Sequence, residues 1–142
     1  MFSDSVIDPA TIQAYLETHY HVHGEQPFIL RIGQVSSDLA SLYGRHNVDC
    51  AAFITGCNPF SRRVSKSENK DQQRALAKEL AGRSLTFYEG IGQHPSNKWP
   101  GEESFLVLGL DHEAAKKLGE RFEQNAIVCA GTDAMPQLVL LR

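Results

Sequence analysis

The sequence predicts an α+β protein with a mostly antiparallel sheet. Short apolar segments bounded by glycine and proline are typical of strands, and they are separated by segments with helical spacing and recognisable caps. The chain has 142 residues, of which 42% are apolar and 22% are charged. These proportions are those of an ordinary globular protein, so we expect one domain over residues 1–142.

A helix, a strand and a second helix are predicted in turn for the N-terminal part of the chain. Asp8 can cap a helix with Pro9 at its first position, and apolar residues at helical spacing extend this helix to Tyr20. A strand over residues 28–32 follows. Ser37 or Asp38 can then cap a two-turn helix that extends through residue 43, and we expect Gly44 to end it in a left-handed conformation.

The segment from residue 49 to residue 130 contains the predicted core of the sheet. Residues 49–56 are strongly apolar and predict a central strand, and Ser65 with Glu68 forms a capping box before the next helix. Asp111 is the predicted cap of a further helix. The other strands are predicted over residues 84–89, 104–110, 126–130 and 137–141, with a long polar loop over residues 90–103.

The predicted order between residues 49 and 130 is therefore strand, helix, strand, strand, helix, strand. This is the split β-α-β order of ferredoxin-like domains. The N-terminal helix-strand-helix and the C-terminal strand would extend this sheet and cover it. An α/β sandwich with another strand order is the alternative, because the order of elements along a chain does not by itself determine the order of strands in a sheet.

Charge, hydropathy and cysteine content exclude several classes of protein. No apolar run approaches the roughly 18 residues of a membrane-spanning helix, and residues 1–30 lack the basic start and apolar stretch of an export signal. Three cysteines are too few for a disulfide framework, so we expect free thiols and a cytoplasmic location. The net charge of −3 opposes non-specific binding to nucleic acid, although residues 62–83 are locally basic.

No cofactor is predicted from the motifs in the sequence. The chain has no P-loop, no complete dinucleotide-binding glycine pattern, no zinc-protease helix motif and no Cys-x-x-Cys pair. His19, His21 and His23 would share one face if they lay in a strand and would there suit a transition metal. Because the predicted helix ends within this triplet, we expect the three rings to be scattered, and no metal site is predicted.

Several residue runs resemble, in combination, those of a known family. They are residues 27–33 (PFILRIG), 53–55 (FIT), 58–61 (NPFS), 67–69 (SEN), 94–95 (HP), 99–107 (WPGEESFLV) and 122–128 (FEQNAIV). From about residue 10 to residue 142, the chain is similar to a bacterial family of uncharacterised proteins, domain of unknown function three-two-nine-three. The resemblance implies a bacterial protein and brings no established activity, so function has to be argued from the residues.

The first candidate site consists of polar residues that follow the predicted central strand. Asn58, Ser61 and Arg62-Arg63 lie between this strand and a capped helix. Backbone N–H groups at a helix N-terminus together with an arginine can hold an anion, and the same residues also suit an ordinary turn. Gln124-Asn125, between the last helix and its strand, can orient a polar ligand or cap the helix.

The predicted loop over residues 90–103 supplies the second set of candidates. Trp99 can stack on a base or sugar, or close over the core. His94 with Glu102 or Glu103 can form a general acid-base pair, because imidazole titrates near neutrality and a carboxylate can hold its tautomer.

These two sets of residues are expected to meet in one cleft. In an antiparallel sheet the end of one strand lies beside the start of its neighbour, and the strands over residues 49–56 and 104–110 are neighbours in the ferredoxin-like order. We therefore expect the residues just after the first strand to face those just before the second. The residues concerned are Asn58, Ser61, Arg62, Trp99 and Glu102.

Three functions are compatible with these residues. The first is the binding of a small anionic ligand, such as a nucleotide or a phosphorylated metabolite, by Arg62 and Arg63. The second is an enzyme that uses His94 with Glu102 or Glu103 in the same cleft. The third is an interaction with a protein partner through an exposed edge strand over residues 137–141.

Overall fold

Seven strands form one antiparallel sheet in the computed structural model, which describes residues 5–96 and 100–142. The strands are β1 (His19–Val22), β2 (Phe28–Leu30), β3 (Ala51–Ile54), β4 (Thr86–Gln93), β5 (Glu102–Leu108), β6 (Ala126–Ala130) and β7 (Gln137–Leu140). The α-helices of the described residues are α1 (Pro9–Glu17), α2 (Ser37–His46), α3 (Lys66–Gly82) and α4 (His112–Arg121). The fold is α+β, as the sequence predicts.

The strand order across the sheet is β2-β1-β4-β5-β3-β6-β7, and each neighbouring pair is antiparallel. Strand β3 pairs with β5 on one side and with β6 on the other, so the prediction of a central strand is confirmed. Pairing of Ile54 with Phe105 brings the end of β3 close to the start of β5. Strands β2 and β7 are the two edges of the sheet.

Helices cover both faces of the sheet. Helix α2 packs on one face, where Leu39 belongs to the same buried cluster as Phe53. Helices α3 and α4 pack on the opposite face, where Leu76 and Leu118 surround Ile54. Adjacent positions of β3 contact opposite layers because side chains alternate along a strand. Each fully buried leucine of this kind stabilises the fold by about 1.5–3 kcal/mol.

Helices α3 and α4 begin at the residues that their caps predict, whereas α2 is capped by Ser36 rather than by Ser37 or Asp38. Ser65 Oγ accepts a hydrogen bond from the Glu68 N–H at 3.1 Å at the start of α3, and Asp111 Oδ1 accepts one from the Ala114 N–H at 2.8 Å at the start of α4. These bonds satisfy N–H groups that have no partner within the helix. None of the described helices has the length and apolar character needed to cross a membrane.

The N-terminal helix is shorter than predicted, and a strand follows it. Helix α1 ends at Glu17, and the next residues form β1 between β2 and β4. Tyr20 and Val22 are buried, whereas His19 and His21 lie on the other face of the strand. This alternation has the period of a half-buried strand, and pairing with strands on both sides outweighs the helical spacing that reaches Tyr20.

Other boundaries also differ from the sequence-based expectation. Gly44 lies inside α2, which ends instead at His46 and is followed by Asn47 in a left-handed conformation with φ of 54°. Strand β4 continues through Gly90 to Gln93 and β5 begins at Glu102, so the connecting loop is shorter than residues 90–103. Gly90 fits within the strand because it has no side chain, and the backbone of β1 passes through the position that a Cβ atom would occupy.

All three cysteines are free thiols, as predicted. Burial raises the pKa of Cys57, and it raises the pKa of Cys129 to about 12. The reactive thiolate form is therefore disfavoured at both positions at neutral pH, because thiol reactivity requires deprotonation.

Candidate functional site

A cavity of about 400 Å³ lies between α1 and the face of the sheet that also carries α2. Phe53, Val128 and Leu138 of the sheet form its apolar floor, and Ala14 and Tyr15 of α1 form the opposite wall. Polar side chains around it are Asp8, Thr11, Thr18, Thr55, Asn58, Ser61, His94, Glu102, Ser104 and Gln124. Cavities of this size with mixed lining are typical of small-molecule sites.

The turn after β3 has an unusual backbone. Asn58, Phe60 and Ser61 adopt left-handed conformations with φ of 47°, 54° and 59°. Such a conformation costs about 1–2 kcal/mol for an ordinary L-residue, and asparagine tolerates it best. The Phe60 N–H donates to the carbonyl oxygen of Glu123 at 2.6 Å, which ties the turn to the connection between α4 and β6. The turn thereby holds Asn58 and Ser61 in the cavity wall.

Asn58 connects the turn to both neighbouring elements. Its Nδ2 donates to Glu102 Oε2 at 2.7 Å, at the start of β5. Its Oδ1 accepts from the Val64 N–H at 3.2 Å and from Asn69 Nδ2 at 3.0 Å. The Asn58 N–H in turn donates to Asn69 Oδ1 at 2.8 Å, so the two asparagines form a reciprocal pair that joins β3 to α3.

Glu102 is a half-buried carboxyl group in the cavity wall. Burial raises its pKa above the usual value for glutamate, and the hydrogen bond from Asn58 partly opposes this effect. Burial acts in this direction because a low-dielectric environment disfavours the charged form. The site therefore holds an acidic group whose charge is only partly compensated by its neighbours.

A second set of hydrogen bonds fastens α1 over the cavity. The Tyr15 hydroxyl is hydrogen-bonded to Ser61 Oγ, and Asn125 Nδ2 donates to the same Ser61 oxygen at 2.8 Å. Arg142 Nη1 donates to Asn125 Oδ1 at 3.2 Å, and its guanidinium lies 4.2 Å from the centre of the Phe60 ring. These contacts join α1, the turn after β3, β6 and the C-terminus at one end of the cavity.

His94 contacts α1 at the other side of the cavity. Its Nε2 lies 2.9 Å from Glu17 Oε1, at the last residue of α1. The hydrogen bond with His94, together with one from Gln13, lowers the pKa of the Glu17 carboxyl. A histidine–carboxylate pair is thus present beside the cavity, but its carboxylate is Glu17 rather than Glu102 or Glu103.

The structure brings some of the predicted site residues together and separates others. Asn58, Ser61, His94, Glu102 and Gln124 line the cavity, and Asn125 is bonded to Ser61 in its wall. In contrast, Arg62, Arg63 and Glu103 are exposed and do not line it. Trp99 lies outside the described residues.

Gln124 has a structural role that its position in sequence does not reveal. Its Nε2 donates to the carbonyl oxygens of Cys57 at 3.1 Å and Phe122 at 3.2 Å, and the residue is buried. Its amide nitrogen therefore satisfies two backbone groups, one of them in the turn after β3. These two hydrogen bonds help to stabilise the strained backbone of the turn.

Tyr15 and Thr55 are site residues that the sequence analysis does not identify. Tyr15 occurs in a helical stripe of apolar residues, which predicts only a core position. Thr55 follows β3 and uses its hydroxyl to donate to the Glu103 carbonyl oxygen at 2.6 Å. The signal that could have identified Tyr15 is its hydroxyl group within a stripe of mostly apolar residues. A buried hydroxyl usually requires a hydrogen-bond partner, so it indicates a nearby polar group.

His19 and His21 lie together on the face of the sheet opposite the cavity, so the expectation that these rings are scattered is wrong, because they belong to a strand rather than to a helix end. The His19 and His21 rings are 6.3 Å apart between centroids. Within residues 5–96 and 100–142, no group of three histidine, cysteine or acidic side chains has the arrangement of a metal site. Burial, followed by the neighbouring His19 and His23, lowers the pKa of His21.

Replacing Glu102 by glutamine should stabilise the protein at neutral pH. The raised pKa means that the folded state binds a proton more readily than the unfolded state, so the stability of the wild type falls as pH rises from the ordinary glutamate value through the raised one. Glutamine can still accept the bond from Asn58 and carries no charge. We expect a gain in the free energy of unfolding of about 1 kcal/mol at pH 7 and none at pH 4, measured by urea denaturation.

The matched control is Glu103→Gln, which makes the same charge change at the exposed neighbouring position. Surface substitutions of this kind usually change stability by less than about 0.5 kcal/mol. An equal gain for both variants, or a gain for Glu102→Gln that is the same at both pH values, would show that burial of Glu102 is not its cause.

Part of the chain matches a described protein family. No curated protein and no solved structure matches the chain. The sequence profile of a family described as "Protein of unknown function (DUF3293)" matches residues 54–127. The match begins at the end of β3 and ends in β6, and it includes the turn with Asn58, the N-terminus of α3 and Glu102. The chain belongs to this family, the proteins of unknown function DUF3293.

Proposed function

We propose that the protein binds a small molecule in the cavity between α1 and the sheet. The observation that carries this proposal is the half-buried carboxyl group of Glu102 in the wall of a cavity of about 400 Å³. Binding sites commonly combine apolar walls with a few convergent polar groups whose pKa values are shifted. The strained backbone at Asn58 and Phe60 supports the same location, because such strain is concentrated at functional sites.

The charge of the lining argues for an uncharged or cationic ligand rather than the anion expected from the sequence. Within the described residues, the ionisable side chains around the cavity other than tyrosine are Asp8, His94 and Glu102, and neither lysine nor arginine is among them. Arg62 and Arg63, the expected anion ligands, are exposed outside the cavity. Arg142, at one end of the cavity, is held by Asn125 and the Phe60 ring and is not among the lining residues. A nucleotide or phosphorylated metabolite would therefore meet carboxylates in the cavity wall, and no arginine of the lining would balance them.

Filling the cavity should abolish ligand binding. Ala14 of α1 lines the cavity, and Ala14→Phe would place a ring in the space available to a ligand. In a thermal-shift screen of uncharged and cationic fragments, we expect several compounds to stabilise the wild type and not this variant. At 100 times its Kd, a ligand stabilises the native state by about 2.7 kcal/mol, which is readily detected.

Gln13→Phe is the matched control for this screen. It introduces the same side chain at the adjacent, exposed position of the same helix, outside the cavity lining. The fragments should stabilise this variant as they do the wild type. The proposal would be contradicted if no fragment stabilised the wild type, or if the same fragments stabilised Ala14→Phe equally well.

Catalysis in the same cavity is the second candidate function. The observation in its favour is that Glu102, whose pKa burial raises, and His94 line one cavity. A carboxyl group with a raised pKa can act as a general acid or base near neutral pH. Chemical change of a bound compound by the wild type, and not by Glu102→Gln, would favour an enzyme over a binding protein.

We also infer a ferredoxin-like classification for the part of the sheet between β3 and β6. Strand order β4-β5-β3-β6, with α3 and α4 on one face, supports this classification.

We also infer that the protein is cytoplasmic. Its three free thiols support this inference, because a reducing compartment keeps cysteines unpaired.

A further inference from the structure

We propose that the ligand of the cavity carries a protonated amine that pairs with Glu102, and an apolar group that lies on Phe53, Val128 and Leu138. This inference rests on the proposed function and adds the chemical class of the ligand. Three properties of the cavity support it. The negative charge of Glu102 is only partly compensated, most other polar groups are hydrogen-bonded within the protein, and the floor is apolar.

The carboxylate of Glu102 lacks a charged partner in the part of the chain that the structure describes. Asn58 Nδ2 donates to Oε2 at 2.7 Å, and no other described group donates to this side chain. A single neutral amide leaves the negative charge of this half-buried carboxylate largely uncompensated. A protonated amine supplies a positive charge and up to three N–H donors at once.

Most other polar groups of the lining have partners within the protein. Ser61 is bonded to Tyr15 and Asn125. The Thr55 hydroxyl donates to a backbone carbonyl at 2.6 Å, and the Gln124 amide nitrogen donates to two backbone carbonyls. Asp8, the other carboxylate of the lining, is exposed to solvent and caps α1. Glu102 is consequently the half-buried acceptor of the lining that has spare capacity, and a ligand gains by placing its donors there.

The sheet side of the cavity suits an apolar group. Phe53 and Val128 are buried members of the core that contribute to the cavity floor, and the Phe53 ring is held edge-on by Tyr20 at 5.2 Å between centroids. Burying an apolar group against such a surface is favourable because it removes apolar area from water. A compact molecule with an amine at one end and a hydrocarbon group at the other therefore matches both parts.

Three probe compounds that share one carbon skeleton test this inference. They are 2-phenylethylamine, 2-phenylethanol and phenylacetate, whose head groups are positive, neutral and negative. Binding to the full chain is measured by NMR titration at pH 7 for the wild type, Glu102→Gln and Glu103→Gln. We expect the amine to bind the wild type roughly tenfold more tightly than the alcohol, and the carboxylate to bind most weakly, because charge-assisted hydrogen bonds are the stronger ones.

The two variants identify the carboxylate responsible. Glu102→Gln should lose the preference for the amine while it still binds the alcohol, and Glu103→Gln should keep the preference. Equal binding of amine and alcohol to the wild type, or tightest binding of phenylacetate, would overturn the inference and leave the proposed function standing. Binding of none of the probes would also overturn it, and the fragment screen with Ala14→Phe separately decides whether the cavity binds small molecules.

Discussion

Asn58→Ala should lower the free energy of unfolding by about 3 kcal/mol. The substitution removes the side-chain bonds to Glu102, the Val64 N–H and Asn69, each worth about 1 kcal/mol and more where a charged group is involved. It also puts alanine at φ of 47°, a left-handed conformation that alanine adopts at a cost. Urea denaturation of the wild type and the variant measures the difference.

Asn58→Gly separates the two contributions. Glycine adopts the left-handed conformation without strain, so it should be about 1 kcal/mol more stable than the alanine variant and still less stable than the wild type. Asn58→Asp should be destabilised mainly at neutral pH, because a second carboxylate would then stand beside Glu102. If alanine cost less than about 1 kcal/mol, or if glycine and alanine were equally stable, the role assigned to this turn would be wrong.

Gly90→Ala should also destabilise the fold by about 3 kcal/mol. A Cβ atom at this position of β4 would lie 2.3 Å from the carbonyl oxygen of His21 and 3.1 Å from the Phe53 ring. The nearer atom belongs to the backbone of β1, so the clash can be relieved only by moving β1 away from β4 or by displacing Phe53. Urea denaturation gives the loss, and faster hydrogen exchange in β1 is expected to accompany it.

Gly44→Ala provides the control for this effect. Gly44 is inside α2, and no atom of the described residues beyond its own stretch of helix lies within 4 Å of the position that its Cβ would occupy. Alanine is favoured over glycine in a helix by about 1 kcal/mol, so this variant should be more stable than the wild type. Stability of Gly90→Ala within about 0.5 kcal/mol of the wild type would contradict the close approach of β1 and β4.

Elements with local chemical signals could be predicted from the sequence. Ser65 and Asp111 cap their helices by hydrogen bonds within four residues, so the sequence around each cap contains the whole interaction. Strand β1 could not be located in this way, because its stability comes from β2 and β4, and the pairing of His21 with Ile91 joins residues far apart in the chain. Its alternating burial at Tyr20 and Val22 overlaps a helical pattern that continues from α1.

The candidate site likewise combines features that the sequence predicts with features that depend on distant residues. The approach of Asn58 to Glu102 follows from the neighbouring positions of β3 and β5, which the predicted order already implies. The position of α1 over the cavity depends on hydrogen bonds of Tyr15 with Ser61 and Asn125. These partners are separated from Tyr15 by 46 and 110 positions in the sequence. The exposure of Arg62 depends on the left-handed backbone at Phe60 and Ser61, which redirects the chain after the turn in a way that residue type does not indicate.

The most direct test of a small-molecule site at Glu102 is an NMR map of the wild-type chain titrated with 2-phenylethylamine. A ligand in the cavity should shift the signals of residues on all its sides, in particular Ala14, Thr55, Gly92 and Val128. Glu113 and Glu120 are exposed acidic residues of α4 that would report non-specific attraction of an amine. We predict saturable shifts confined to the cavity residues. Shifts confined to the exposed acidic residues, or no saturable shifts at all, would contradict the account.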